Sequence, residues 1–402
     1  MTGDWQILPR ERDLSRVYDP LGGWEKLVLV ERDHQPHTWT VTGRSERLAD
    51  AADAGKGSIL FSNGRQITSG RLTRIQRGAA YSAEVEDVVD MTTLSFADDR
   101  LPLGGRIIFP SPGHNLAAAI SNFPAAYDLR TGTVEDLIIG YIRSHAGDLA
   151  QADRQIPRLR MPAVSQGRGG TTQVSGRLDV LGTLVGSLAD AGNLKISIVH
   201  TEDSGGAWLD LRIDSVTDRS ADIRFGSAES TAAGIVNEWS YDIAIPTTTR
   251  AIIAGGGELT ARDFLQLIAP DQEALWGIVM ETLIDRRHVA PDTENKLSEL
   301  TRAAEEGLEQ GAGPTSVSFV PVLGQDVEYR RDVFIGDIVG YDLPGLPPSK
   351  DKIRQATTTV TAGDEGEEFV ELVVGTPDAP TTRSQQQTAR ALREINILKR
   401  SS

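Results

Sequence analysis

The stretch Ile59–Arg77, ILFSNGRQITSGRLTRIQR, decides the architecture. Two runs heavy in β-branched and aromatic residues flank Asn63-Gly64, a dipeptide in which both residues tolerate positive φ and so close a two-residue type I′ hairpin. Gly70 interrupts the second run and reads as a bulge. Working outward, the runs WEKLVLV from Trp24, HTWTVT from His37 and GSILFS from Gly57 have the same β texture, and Tyr81–Asp90 continues it as a further strand. Pro110–Asn115, PSPGHN, reads as an exposed loop. Residues 1–125 are thus expected to form a β-rich domain.

A different texture begins near Thr131. Thr133 and Asp136 have the spacing of an N-terminal cap, followed by Leu137, Ile138, Tyr141 and Ile142 on one helical face. Leu178, Leu181, Leu184, Val185 and Leu188 recur at helical spacing, with Gly192 in the place of a C-cap glycine. KISIVH and AWLDLRI around a Ser-Gly-Gly turn predict a hairpin. Residues 126–245 therefore read as an α+β middle domain. Residues 246–375 read as a second β-rich domain with a helical insertion near 271–313. Within it, Thr260–Ile268 is expected to be a helix stopped by Pro270, LWGIVMETLID is open between strand and helix, and Leu297, Leu300, Ala304 and Leu308 mark a helix ending near Gly311. Lys352–Val374 predicts a hairpin. Residues 376–402 have linker composition, with ARALREINIL (Ala389–Leu398) able to form a short helix.

The composition excludes several classes. With 39% hydrophobic and 24% charged residues the chain is globular, and no apolar run approaches the roughly 18 residues that a membrane span needs. The opening MTGDWQILPRERD lacks the basic-then-apolar order of a signal peptide. Cysteine is absent, which removes disulfides, thiolate metal sites and thiol nucleophiles together. A formal net charge of −16 opposes counterion release at a phosphate backbone, so sequence-specific nucleic-acid binding is not expected.

No catalytic, cofactor-binding or metal-ligating residue is assigned. His34 and His37 in HQPH have chelating separation, but a proline lies between them and no other histidine is close in sequence; a polar loop between strands is the preferred reading. His114, His145, His200 and His288 stand in unrelated contexts. Gly55-Lys56-Gly57-Ser58 lacks the order of a phosphate loop, and the glycines at 167–170 and 255–257 lack a full G-x-G-x-x-G. The adjacent pairs Asp98-Asp99 and Glu367-Glu368 point to opposite faces of a regular strand. The five carboxylates of Asp364–Glu371 lack a calcium-loop pattern and read as a solvated hairpin tip.

Several phrases, in order, resemble the tail-hub or minor tail proteins of siphophages, especially those of phages of actinobacteria. These are RVYDPLGGWEKLVLVERDHQPHTWTVTG (Arg16–Gly43), the Ile59–Arg77 hairpin, YDLRTGTVEDLIIGYIRSH (Tyr127–His145), RLDVLGTLVGSLADAGNLKISIV (Arg177–Val199), AGGGELTARDF (Ala254–Phe264) and VFIGDIV with Gly336 and Asp337. The long Asp271–Gly313 segment and the acidic stretch after Lys350 depart from the family pattern. The resemblance implies a β-rich α+β chain: two β-barrel-like tube domains with an intervening α+β domain, no catalytic residues and no cofactor. It implies a homotrimeric structural protein of the virion, with a distal tail protein above, a tape-measure protein inside and tip or fibre proteins below. DNA would pass through the ring without specific binding. A tail-borne cell-wall or polysaccharide hydrolase, or a receptor-binding tail protein, is the alternative; the first requires a carboxylate or metal constellation, the second clustered aromatics, and only 5% of residues are aromatic.

Overall fold

The structure is a computed structural model. It describes residues 4–375 except 18, 83–86, 115, 117–121, 227–233, 288, 290–295, 314, 322–326, 346–347 and 364–366. The acidic tip at 364–366, His288 and the expected helix at 389–398 lie outside the described residues. Two compact units divide the chain: Met1–Trp239 with Phe319–Val374, and Ser240–Ser318, with Gly375–Ser402 grouped to the latter.

The first unit begins with β1 (Trp5–Arg10), β2 (Trp24–Arg32), β3 (Thr38–Arg44), a one-turn α1 (Ser45–Leu48), β4 (Gly57–Ser62), β5 (Arg65–Ser82) and β6 (Asp87–Asp98). They pair in the order β1-β4-β5-β6-β3-β2. Alternation puts Leu27 and Leu29 of β2, Trp39 and Val41 of β3, and Leu94 and Phe96 of β6 on one face. Trp5 and Ile7 of β1, at the far end of the strand order, join the same apolar cluster as Leu27 and Leu29, so the sheet rolls around its core. Trp39 and Phe96, directly opposite in register, stack with ring centroids 5.4 Å apart. Each fully buried side chain of this size contributes roughly 1.5–3 kcal/mol.

The Asn63-Gly64 hairpin forms as the sequence requires: φ is 51° and 72°, and Ser62 faces Arg65. Gly70 is not a bulge. It pairs in register with Ser58 and Asp98, and the register shifts fall at Leu60/Phe61 and Leu72/Arg74 instead. Its reason is close approach: a Cβ at Gly70 would stand 2.0 Å from the Ala97 carbonyl oxygen.

After α2 (Leu101–Gly104), the middle segment comprises β7 (Asp128–Thr133), α3 (Val134–His145), β8 (Leu159–Arg160), β9 (Thr171–Gly176), α4 (Leu181–Ala191), β10 (Leu194–Asp203) and β11 (Gly206–Ser215). Thr133 caps α3 by accepting a hydrogen bond from the Asp136 amide at 3.2 Å. The β10–β11 hairpin is regular from Leu194↔Ser215 to Asp203↔Gly206, and its apolar face joins α3 and α4 in one core. Helix α4 starts later than the leucine spacing suggests. Leu178 precedes it at φ 59°; Gly192 is the C-cap residue as expected, and the left-handed residue that follows it is Asn193.

The chain then enters a second barrel, built from β12 (Arg224–Gly226), β13 (Gly234–Ile243) and four strands that come more than 70 residues later. Between them lies the second unit: β14 (Arg250–Ala254), β15 (Phe264–Ile268), α5 (Pro270–Trp276), β16 (Glu281–Asp285) and α6 (Lys296–Gly311). Strands run in the order β15-β14-β16, with Ala251, Ile253, Leu265, Leu267 and Ile284 packed against Leu300, Ala303, Ala304 and Leu308 of α6. The expected helix at Thr260–Ile268 is instead β15, because Leu265 and Leu267 alternate inward with period two. Pro270 does not stop a helix but opens α5, at a position where the missing N–H would have no partner.

The barrel resumes with β17 (Thr315–Pro321), β18 (Ile338–Asp342), β19 (Ser349–Thr361) and β20 (Glu368–Gly375). The order β19-β18-β12-β13-β17-β20 closes through β19–β20, giving a six-stranded barrel. Phe225 and Phe319 meet in its interior at 4.6 Å between centroids. Strands β12 and β13 lie within the 126–245 segment of the sequence yet pair in this barrel. Strand β19 also pairs with β2, from Gln355↔Arg32 to Thr361↔Lys26, so one continuous ladder of twelve strands runs through both sheets.

Replacing Gly70 with Ala forces β5 and β6 apart and should destabilise the chain by about 1–3 kcal/mol, the usual range for overpacking. Chemical denaturation compared with Gly78→Ala, at a position with open space around it, checks this; equal midpoints for the two variants would exclude the close-approach role.

Candidate functional site

Neither a cleft with converging catalytic groups nor a histidine chelate emerges among the described residues; the polar side chains that do converge lie where the first sheet, the middle segment and the second barrel meet. Asp33 and His34 follow the end of β2, Asp190 ends α4, and Lys352 and Arg354 belong to β19. The backbone places them there: the Asp33 amide donates to the Arg354 carbonyl at 3.1 Å, continuing the β2–β19 ladder. Arg354 Nη1 reaches Asp33 at 3.0 Å and Asp190 at 2.9 Å, Lys352 Nζ reaches Asp190 at 2.7 Å, and His34 Nε2 lies 3.1 Å from Asp33 and 3.4 Å from Asp190. Gly336, at φ 79°, passes so near that a Cβ would stand 2.8 Å from Asp33 Oδ1. Beside it, Asp337 binds Lys195 of β10 and, at 3.0 Å, Arg219.

Electrostatics follow from this packing. Burial opposes ionisation of Asp33 and Asp190, but the adjacent His34 and the cations Arg354 and Lys352 hold both carboxyls below their ordinary range. Burial also opposes a charge on His34, yet the neighbouring Asp190 and Asp33 carboxyls raise it above its ordinary value. Asp33, His34 and Asp190 have ligand atoms within 4.8 Å of one another, the spacing of a metal site. Their charge is already met by Lys352 and Arg354, so the cluster acts as an ion-pair clamp.

His37 does not join it. Its Nδ1 accepts from the Arg32 amide at 2.9 Å, and burial with Arg100 and Arg32 holds it well below its ordinary value, so it is neutral. The HQPH histidines are thus divided between two networks. Asp98 and Asp99, adjacent in sequence, also serve different partners, Arg100 at 2.9 Å and Arg10 at 2.7 Å. His145 is buried beside Asp128 at 3.0 Å within the core of the middle segment, with no access to substrate.

A second clamp closes the join between the sheets. Arg330, at φ 67°, binds Glu31 of β2 at 2.6 Å, donates to Thr358 of β19 at 2.7 Å and lies over the Trp5 ring of β1 at 5.0 Å. Tyr329 donates to the same Glu31 at 3.1 Å, and Trp5 donates to Glu368 of β20 at 3.2 Å. Sequence reading missed Glu31, Asp190, Arg330 and Arg354, since lone charges on strands carry no motif; the only local signal was the Gly336-Asp337 turn.

Two rolled β-sheets sharing a strand ladder, with an α+β segment ahead of the barrel strands in sequence and a second α+β unit inserted between them, form a fold found in phage tail proteins. Two solved structures share it across nearly their whole length: the tail protein from Neisseria meningitidis MC58 (TM-score 0.53, 10% identity, 92% of this chain and 96% of that one) and the 43 kDa tail protein of prophage MuSo2 from Shewanella oneidensis (TM-score 0.55, 10% identity, 93% and 99%). The chain belongs to the family of Siphovirus ReqiPepy6 Gp37-like proteins, whose family model matches residues 4–376. No curated protein matches it by sequence. By family and fold it is a phage-tail-like structural protein.

His34 gives the clamp a pH dependence of known sign. Because its folded value is raised, its contribution is complete below about pH 6.5 and is lost as pH rises through the folded value; Asp33 and Asp190, lowered, contribute above about pH 4. The stability difference between the native chain and His34→Gln should therefore shrink between pH 6 and pH 9. Paired urea titrations across that range check it; a difference that grows with pH contradicts the assignment.

Proposed function

We propose that this protein is the hub at the tip of a long flexible phage tail, joining the distal end of the tail tube to tip or fibre proteins and forming part of the DNA channel. One observation carries the reading: a single chain supplies two six-stranded sheets spliced edge to edge through β2 and β19. A trimer of such chains presents six tube-like sheets, which matches three-fold tip symmetry to a six-fold tube. Closing the ring also gives exposed strand edges a partner. The family is a siphovirus one, which supports placement in a virion.

The neighbours of this ring are a distal tail protein above, a tape-measure protein within and fibre or tip proteins below. Its role is structural and not enzymatic. Support comes from the site: among the described residues, His34, His37, His145, His200, Asp98 and Asp99 serve in buried or half-buried ion pairs and hydrogen bonds. The net charge of −16 favours a channel wall that passes DNA without holding it, since like-sign repulsion removes the counterion-release term.

Symmetry in a reconstruction of the assembled tail tip tests the hub role. Three copies, each placing two sheets in the tube wall, is the expected result; one copy, six copies, or three with a single sheet in the wall rejects it. For the channel, the assembled ring should show no binding to duplex DNA at micromolar concentration and physiological salt, and retention of DNA there would count against an acidic lumen.

A further inference from the structure

Two surfaces of this chain stand uncovered. The first is the far half of the β5–β6 ribbon. Strand β4 pairs with β5 only as far as Gly57↔Arg71 and β3 leaves β6 at Arg44↔Met91, whereas β5 and β6 stay paired to Ser82↔Asp87. Beyond Gly78↔Met91 the two strands run alone, an arrangement of marginal stability in water. Every residue from Thr73 to Ala79 is exposed. Ile75, Arg77 and Ala79 alternate onto one face, which Val88, opposite Tyr81, shares; Ile75 is 40% and Val88 60% exposed. Arg74 and Arg77 make no ion pair among the described residues. The second surface is one face of the second unit. Residues 251 and 253 of β14 turn toward α6, so Arg250 and Ile252 turn away from it. In register with them stand Ile268 and Gln266 of β15 and Glu281 and Leu283 of β16, while Phe264 lies opposite Ala254. Phe264 is 61% exposed, Leu283 64% and Ile268 43%. A contiguous apolar patch of this kind marks an interaction surface.

We propose that these two surfaces meet between copies of the chain: the β5–β6 ribbon of one copy lies across the β15-β14-β16 face of the next. This contact rests on the ring of copies put forward above and supplies a joint that closes it. Three considerations select this occupant. First, a cyclic ring needs two different patches on each chain that fit one another, and a second copy of the chain brings the ribbon to the sheet face wherever such a ring forms. Second, the charges are complementary. Residues 65–82 hold four basic and no acidic side chains, and residues 240–318 hold thirteen acidic against six basic. On the ribbon Arg77 stands between Ile75 and Ala79, and on the sheet the exposed Glu281 stands two positions from Leu283, so packing Ile75 and Val88 against Phe264, Ile268 and Leu283 brings opposite charges together. The acidity of the second unit disfavours an anionic bilayer or a nucleic acid in the same place. Third, the ribbon is built to be covered. Its outer edge beyond Arg71 has neither the proline nor the lysine that commonly guards an open strand, and a two-stranded ribbon becomes stable once it packs on a further layer.

The native chain has no cysteine, so introduced thiols report without background. Tail tips assembled from an equal mixture of Val88→Cys chains and Leu283→Cys chains should give, on mild oxidation, disulfide-linked dimers, and the mixture reports contacts between copies only. In a control mixture Leu149→Cys chains, with an equally exposed leucine of the middle segment, replace the Leu283→Cys chains, and dimers should form at least about tenfold more slowly. Adding Arg77→Glu to the Val88→Cys chain should slow dimer formation with Leu283→Cys by about tenfold, since it sets like charges against one another. Independently, in the native protein, amide hydrogen exchange in Arg74–Ala79 and in Phe264–Ile268 should slow by about tenfold between the free chain and the assembled tip. Equal rates for the two mixtures, dimers formed as fast by one variant alone, or unchanged exchange in either segment overturns the proposal. Copy number judges the hub reading separately: three copies without these dimers reject the contact and leave the hub, whereas dimers in a six-copy ring keep the contact and reject the hub.

Discussion

The pairing of β2 with β19 is the constraint on which the rest depends. Seven residues, Lys26–Arg32, hydrogen-bond to Gln355–Thr361 across more than 320 positions of chain. Until that ladder forms, the first sheet has an open edge at β2 and the barrel of β12, β13 and β17–β20 has no fixed place beside it. Once formed, it divides β19 between two tasks: Ser349–Lys352 closes the barrel against β18, and Gln355–Thr361 splices the two sheets, with β20 running along Ile353–Val360. Closing so long a loop is entropically affordable, because the cost grows only with the logarithm of length, but it makes the native topology slow to reach.

Charged residues are arranged around that splice. At one end, Asp33, His34, Asp190, Lys352 and Arg354 bind the end of β2, the end of α4 and β19 into one cluster; along it, Arg330 holds Glu31, Thr358 and Trp5 together. Buried ion pairs of this kind return little net stability over apolar packing, since desolvation offsets most of the attraction, but removing one partner strands the other at a cost of about 3–5 kcal/mol. Their value is in orientation. The β2–β19 ladder already fixes the register of the two sheets, and a bidentate or multiply bonded guanidinium adds a side-chain contact that accepts one geometry. In a chain without cysteine, such contacts help to fix the angle between the two sheets.

Composition and spacing were enough for much of this protein. The Asn63-Gly64 turn, the alternating runs at Trp24 and Thr38, the Thr133 cap, the β10–β11 and β19–β20 hairpins and α6 are all local in origin. In each, the residues that set φ, the inward periodicity or the cap lie within a few positions of one another, so the sequence by itself determines the element. The likeness of ordered phrases to siphophage tail proteins was also legible and agrees with the family match over residues 4–376.

What only the tertiary structure decided are the long-range choices. Gly70 looks like a bulge until β6 is seen lying against it; FLQLI looks helical until α6 claims alternate residues; and β12 and β13 read as part of the middle domain until strands from beyond residue 315 pair with them. The clamps were invisible for the same reason. Glu31, Arg330, Asp190 and Arg354 have no motif, because the spacing that matters between them is a distance across packed strands, and a sequence records separation along the chain alone.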